Sequence, residues 1–509
     1  MSDNFIYDDV PYPSFTFPQT HPDRLATIAK LHGMTPANVE TCRVLELGCG
    51  DGSNLNWISH TIPNGKFVGV DLSAKHISDA KLNAKELNLK NVEFYALDVL
   101  TLSAETFGKF DFIIAHGLFS WVPDFVREKI LQIYRELLEP NGIGYLSYNA
   151  YPGCHLRDFT RNIMRFHVKD IAEPMQQVDE SLKFLEFLSD TGEIGDKPNI
   201  NQEIIKQEFL NLSKRTRENV FHDDLSEVNQ PFYFADFIAK AQQNSLQFLS
   251  EAEFFSTQTQ HFPQKVQEMF KTFGDDIIKT EQYIDFIKSR RFRQTLLCHQ
   301  EINVKRKLEP QIIRDFLVAS SVECESKKPK LSGKEVETFR GLKNATFQMN
   351  HPLTKAALFY LSKMLSKAVS FNELIEKSVE LLKDEKDAGS AENIEITCEM
   401  LLKLFAANFV KLHTFQPEMV VQISQKPLVS KFSRWQAKRG DSISNIRGVS
   451  FTLENDFVRA LLLLLDGTND KKAIITALNK NPKTKNNKNL PLLMEKHLSQ
   501  IAINSLLVA

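Results

Sequence analysis

The chain is short of net charge, of paired cysteines and of long apolar runs, and each shortage closes off a class of function. Lysine and arginine number 62 against 64 aspartates and glutamates, a formal charge of −2 over 509 residues. A protein that neutralises many phosphates carries a basic excess that this one lacks, so no nucleic-acid partner is expected. The six cysteines, Cys42, Cys49, Cys154, Cys298, Cys324 and Cys398, lie far apart, with no C-x-x-C pair and no histidines at zinc-ligand spacing. Free thiols of a reducing compartment, and no bound metal, are the expectation. The longest apolar run, Ala460–Leu465, is far below the roughly 18 residues of a membrane span. The opening Met1–Val10 is acidic and lacks the basic and apolar regions of an export signal, which leads us to expect a cytoplasmic protein. No G-x-x-x-x-G-K-[ST] loop favours phosphoryl transfer, and no H-E-x-x-H favours a zinc hydrolase.

What the chain does have is an ordinary globular composition, 42% hydrophobic and 25% charged, with 38 phenylalanines that belong mostly in cores. From Arg43 to Asn149 short apolar runs alternate with longer amphipathic ones, the signature of β-α-β units around a parallel sheet. Strands are expected at Arg43–Leu47, Lys66–Asp71, Val92–Ala96, Phe110–Ala115 and Ile143–Tyr148, with helices at Ala74–Leu87 and Asp124–Leu138, the latter stopped by Pro140-Asn-Gly142. After Pro152-Gly153 a helical, polar and aromatic stretch without strand-like alternation runs to about Val228 and reads as an insertion. A helix over Phe232–Asn244 then leads into two strand-like runs, 246–249 and 294–298, expected to return to the sheet as its sixth and seventh strands. The polar stretch around Ser326-Lys-Lys-Pro-Lys330 reads as a linker, with helical patterns beyond it at Leu353–Ser366 and Phe457–Leu465. Lys480–Lys488 reads as a solvated loop.

The segment Val44-Leu-Glu-Leu-Gly-Cys-Gly-Asp-Gly52 is a strand, a glycine turn and a helix start at Ser53. Glycines let the backbone turn sharply and approach a ligand, and a helix start offers unpaired N–H groups. A dinucleotide fingerprint is G-x-G-x-x-G; here the glycines are Gly48, Gly50 and Gly52, with Ser53 where the third dehydrogenase glycine would stand, a spacing that favours a methyltransferase. Glu46 can hold the cationic methionine amino group. Asp71 ends the second strand, where its two oxygens can accept both ribose hydroxyls. Asp98 can accept from the adenine amino group. Either aspartate could instead be a cap or turn residue.

With these motifs in order, and Phe110-Asp-Phe-Ile-Ile-Ala115 after them, residues 40–155 resemble class I S-adenosylmethionine-dependent methyltransferases. Tyr148-Asn-Ala-Tyr-Pro-Gly153, Asn229-Gln-Pro-Phe-Tyr-Phe234 and Asp285-Phe-Ile-Lys-Ser-Arg-Arg-Phe-Arg293 resemble the bacterial members that carry a methyltransferase regulatory domain, a family that includes lysine methyltransferases of outer-membrane proteins. The resemblance implies an α/β, Rossmann-like class I core with a mostly parallel seven-stranded sheet, a large helical insertion and a mainly helical C-terminal domain. It divides the chain into a leader and core at 1–155, a helical regulatory region at 156–305, a linker at 306–334 and a winged-helix-like region at 335–509. It implies S-adenosyl-L-methionine as cofactor, held by Glu46, Gly48, Cys49, Gly50, Gly52, Asp71, Leu72, Asp98, Val99 and His116, and a protein lysine as acceptor. The leader Tyr12–Pro18 with His21-Pro22 also looks like theirs, where it packs over the cofactor side; Cys154 stands where several relatives have an aromatic residue.

Methyl transfer from a sulfonium needs alignment more than activation, and positioning contributes roughly 7–11 kcal/mol. A lysine acceptor, with a reference pKa of about 10.4, must first lose a proton, and aromatic faces that attract cations and exclude water suit it. His116, Phe119 and Trp121 follow the fourth strand; Tyr148, Tyr151 and His155 end or follow the fifth. His116, Trp121, Tyr148 and Tyr151 are the catalytic candidates, each weighed against simple packing, capping or interior hydrogen bonding. The run Lys288–Arg293 is a candidate for an acidic partner or an ion-paired helix face. The reading is methylation of protein lysine, with a small-molecule methyltransferase and a non-catalytic cofactor-binding regulator as rivals.

Overall fold

The apolar runs of the N-terminal half line up into one sheet because most of their residues are buried on both faces. In the computed structural model, which describes Val10, Tyr12 and residues 15–191, 200–365, 367–484 and 489–509, the strands are β1 (Arg43–Leu47), β2 (Lys66–Asp71), β3 (Val92–Ala96), β4 (Phe110–Ala115), β5 (Leu138–Asn149), β6 (Leu246–Glu251) and β7 (Phe292–His299). Their spatial order is β3-β2-β1-β4-β5-β7-β6. The first five run parallel, and β7 lies antiparallel to both β5 and β6. The sheet order reverses at β1, so the carboxyl ends of β1 and β4 open the crevice where such sheets bind ligands.

Helices pack both faces. His21 accepts the Asp23 N–H and starts the helix Pro22–Leu31, and Ser73 accepts the His76 N–H to start Ala74–Leu87. The helix Asp124–Leu137 ends directly in β5, which runs through Pro140-Asn-Gly142. The insertion forms the helices Cys154–Val168, Pro174–Ser189, Ile200–Leu212 and Arg217–Val220, around its own cluster of Met164, Val178, Leu185, Ile205, Leu212 and Val220.

Lys288–Arg293 is ion-paired into the protein. Arg290 pairs with Asp285 at 3.2 Å, and Arg291 ties the entry of β7 to Glu208 of the insertion at 2.6 Å. Arg293 is wholly buried, 2.7 Å from Glu251, 3.0 Å from Glu281 and 2.8 Å from Asp285, with its guanidinium 3.9 Å from the Phe234 ring centre.

The 306–334 stretch departs from the linker expected there. Leu317–Ser320 lies between Val369–Ser370 and Val410–His413 in a three-stranded sheet, and Glu323–Cys324 pairs with Glu337–Arg340, which pairs with Thr346–Met349. Its lysines and proline mark solvated turns, but the partners of Leu317–Ser320 are far away in sequence and leave no local signal. One apolar cluster runs from the sheet into this region, joining Val44, Trp57 and Phe112 to Val318, Phe339, Leu358 and Leu401. The last portion has its own core under the helices Lys431–Ala437, Asp456–Leu464, Lys471–Lys480 and Leu490–Ile503, with a hairpin of Ser442–Ser444 and Ser450–Thr452. Residues 485–488 of the stretch read as a solvated loop lie outside the described residues. Among the described residues no helix is long and apolar enough to cross a membrane.

Candidate active site

The turn after β1 works because Gly48, Gly50 and Gly52 all adopt positive φ, at 69°, 53° and 70°. A Cβ on Gly52 would come within 2.7 Å of Phe94, and one on Gly48 within 3.2 Å of Leu118, so both glycines also let the loop pack. At Gly50 a Cβ would meet nothing within 4 Å: the loop faces open space there, the approach a ligand needs.

The loop differs from expectation in where its N–H groups go. Gly48 and Cys49 both donate to the Val70 carbonyl, Gly50 donates to Asp71 at 2.9 Å, Gly52 to the Cys49 carbonyl and Ser53 to Asp51. These amides are spent on holding the turn against the end of β2, so recognition falls to side chains. Asp71 takes the Gly50 and Ser73 N–H groups, one on each oxygen, which fixes both carboxylate oxygens in place beside the loop. Leu72 next to it is exposed and presents an apolar face. Asp98, exposed after β3, caps the turn Val99–Thr101 by accepting from Leu100 N–H, and Val99 is half-buried.

Glu46 is the most telling residue of the corner. It is buried at the end of β1, where Oε1 accepts from Asn54 at 2.7 Å and Oε2 has no hydrogen-bond partner among the described residues. A buried carboxylate oxygen without a donor is costly, and a cationic amino group supplies what it lacks. Burial pushes its pKa up to about 8, Asn54 opposes this, and Asp51 and Asp71 add to it. The folded state therefore holds a proton that the unfolded chain has released above about 4.5, and stability falls as pH climbs from about 4.5 to about 8. Binding a cation there near pH 7 should expel about one proton, read by calorimetry in buffers of different ionisation enthalpy. Glu46→Gln should abolish that proton release, weaken cofactor binding and stabilise the cofactor-free protein by about 4 kcal/mol at pH 8; unchanged proton release would remove Glu46 from this role.

The leader lies across the same corner. Phe17 N–H donates to Asn54 Oδ1 at 2.9 Å, and Asn54 Nδ2 also reaches Thr20. Thr16 donates to the Gly448 carbonyl at 2.8 Å and shares a hydrogen bond of 2.8 Å with Ser444, so the C-terminal hairpin grips the strap that covers the site.

His116, directly after β4, is ringed by aromatics: Phe17 at 3.9 Å between ring centres, Tyr145 at 5.8 Å and Phe292 at 6.0 Å. Its Nδ1 bonds to the Tyr145 hydroxyl at 2.9 Å. Desolvation alone holds its pKa down at about 3, so the ring is neutral and too weak a base to keep a proton taken from an ammonium.

Tyr148 is corrected by the structure. It is buried on the opposite face of the sheet, stacked on Phe237 at 4.2 Å and edge-on to Phe232, with its hydroxyl accepting from Thr295. Side chains alternate along a strand, so the tyrosine that faces His116 is Tyr145, three positions earlier. Trp121 closes the short turn Phe119–Trp121 and is half-buried.

Tyr151 is part of a second cluster. It stacks on His155 at 4.0 Å, donates to Asp158 at 2.9 Å and lies 5.4 Å from Tyr233, whose hydroxyl bonds His155 at 3.1 Å. Three sequence-distant motifs meet here: Tyr151 N–H donates to Phe232, Ala150 N–H to Arg291 and Gly153 N–H to Arg290. A Cβ on Gly153 would sit 2.2 Å from the Ser289 carbonyl, and Cys154 Sγ lies 3.2 Å from the Arg291 carbonyl. A cavity of about 490 Å³ lies elsewhere, beside β6 between Phe248, Glu281 and Leu402, several strands away from the glycine turn.

Comparison with known proteins matches residues 38–165 to the family described as "Methyltransferase domain", 216–299 to "Predicted methyltransferase regulatory domain" and 425–489 to "PKMT, C-terminal winged helix domain". The chain is 35% identical over 499 residues to the uncharacterised protein RP789 of Rickettsia prowazekii, covering 94% of this chain and 86% of that one. It is similar over 98% of its length to the structure of PKMT2 from Rickettsia typhi in complex with AdoHcy, all of which it covers, with a TM-score of 0.85 and 30% identity.

Proposed function

Because this chain belongs to the family of S-adenosylmethionine-dependent methyltransferases with a methyltransferase regulatory domain and a PKMT C-terminal winged-helix domain, we propose that it methylates the side-chain amine of lysine in a protein. The observation that carries the lysine reading is similarity to PKMT2 across both chains, beyond the core that methyltransferases of many substrates share.

When bound, S-adenosylmethionine supplies a methyl group on a cationic sulfur, already activated toward an amine. The protein's part is to hold and orient. Glu46 takes the methionine amino group, Asp71 the ribose hydroxyls, Asp98 the adenine amino group, and Leu72 and Val99 flank the base. Gly50 leaves room for the cofactor, and Gly48, Cys49 and Gly52 shape the turn. The rings of Phe17, His116, Tyr145 and Phe292 wall off water beside the carboxyl end of β4. Dry aromatic walls favour a neutral amine over an ammonium, since desolvation disfavours the charged form. Tyr151, with His155, Tyr233 and Asp158, receives the lysine as it arrives: aromatic faces and a carboxylate both attract its cation, each cation–π contact contributing about 0.5–2 kcal/mol. Trp121 lies on the same side of the sheet's carboxyl edge.

The test is transfer of labelled methyl from the cofactor to a mixture of intact bacterial proteins and, separately, of small amines. Acid hydrolysis of the labelled protein should yield methylated lysine. Label confined to small molecules would overturn the proposal.

A further inference from the structure

The helix Cys154–Val168 has apolar residues on two sides. Cys154, Met164 and Val168 are buried, Met164 within the insertion's own cluster. At a helical turn of about 100° per residue, Leu156, Phe159 and Phe166 fall on one stripe pointing the other way. Leu156, Phe159 and Phe166 are 40%, 38% and 74% exposed, while Ile163 between them is half-buried against the insertion's own cluster. A surface helix normally gives that face to polar residues. The stripe widens onto the neighbouring helix, where His167 stacks on Phe184 at 4.0 Å and Phe184 lies 6.4 Å from Phe187, itself 64% exposed. Contiguous exposed apolar surface of this kind marks an interaction site.

Its position says what it takes. The stripe begins one residue after His155, whose ring stacks on Tyr151, and Asp158 of the same helix holds the Tyr151 hydroxyl. An apolar track therefore ends at a mouth of aromatic rings and a carboxylate, the complement of a lysine cation next to apolar residues. From Leu156 to Phe166 the track runs about 15 Å, the length of about four or five residues of extended chain.

We propose that this face is the docking track for the protein acceptor, which lies along it as an extended segment with apolar residues on one side of the target lysine. This rests on the lysine reading above and adds where the substrate lies and which flanking residues it carries.

The experiment uses the full chain and two synthetic peptides, each with one lysine, flanked on one side by alternating valine and leucine or by serine and glycine. The apolar peptide should show a KM about tenfold lower. The variant carrying Leu156→Ser, Phe159→Ser and Phe166→Ser should erase that difference, the loss falling on KM rather than kcat, with an unaltered melting temperature and S-adenosylhomocysteine affinity. Equal KM values for the two peptides with the wild-type protein would overturn the track alone. No turnover of any lysine peptide or protein would overturn the lysine reading and the track with it. Concentration-dependent sedimentation abolished by the triple substitution, with peptide KM unmoved, would assign the face to a second copy of the chain and overturn the proposal.

Discussion

Replacing Asp71 with alanine is expected to weaken cofactor binding by at least a hundredfold, about 3 kcal/mol, measured by calorimetric titration with S-adenosylhomocysteine. Two losses combine. Hydrogen bonds to a carboxylate are each worth about 1.5–3 kcal/mol, and alanine removes every one proposed between Asp71 and the ribose. It also releases the Gly50 and Ser73 N–H groups that the carboxylate now holds, loosening the turn at the glycine that faces open space. Asparagine keeps one acceptor and should fall between. Because Asp71 is only partly buried, the folded protein should survive with a modestly lowered melting temperature, and a cooperative melt well above the assay temperature separates lost binding from lost structure. A dissociation constant within twofold of the parent would mean that this corner does not hold the nucleoside.

Arg293→Leu should be the most destabilising single change, costing about 3–5 kcal/mol. Leucine fits the apolar neighbourhood of Phe234, so the cost is electrostatic: Glu251, Glu281 and Asp285 would share a buried site with Arg290 as the cation still beside them. Burial already raises the pKa of Glu281 and Asp285 against the pull of Arg293. Without it they rise further above their unfolded values, so the variant's stability is lost as pH increases and partly regained in mild acid. Denaturant melts at pH 5.5 and 8 test this; a deficit independent of pH would show that packing, rather than charge, dominates. Lysine should not rescue fully, because one ammonium cannot match the forked contacts Arg293 makes to Asp285 together with those to Glu281 and Glu251.

What the sequence disclosed was what short segments encode by themselves. The glycine turn, Asp71 at the end of β2 and the five parallel strands follow from local patterning, and each stands within a few residues of where that patterning puts it. What it concealed depends on partners far along the chain. Nothing local says that the amides of Gly48 and Cys49 are consumed by Val70, that Arg293 is enclosed by three acids from two segments, or that Leu317–Ser320 finds its neighbours at 369–370 and 410–413. Tyr148 was misplaced for a subtler reason: a strand buried on both faces has no polar side to show which residues point toward the site, so its apolar pattern leaves the facing unassigned. Tyr145 was missed through the same ambiguity.

The hydrogen bonds from Thr16 to Ser444 and Gly448 join residues 428 and 432 positions apart. Synthesis adds about 5–20 residues per second, so the strap over Asn54 and Glu46 waits some tens of seconds for the hairpin that holds it. During that interval the glycine turn and its carboxylates can already be folded while their cover is missing. The chain thus emerges from the ribosome with its glycine corner open, and the later arrival of the hairpin fastens it shut.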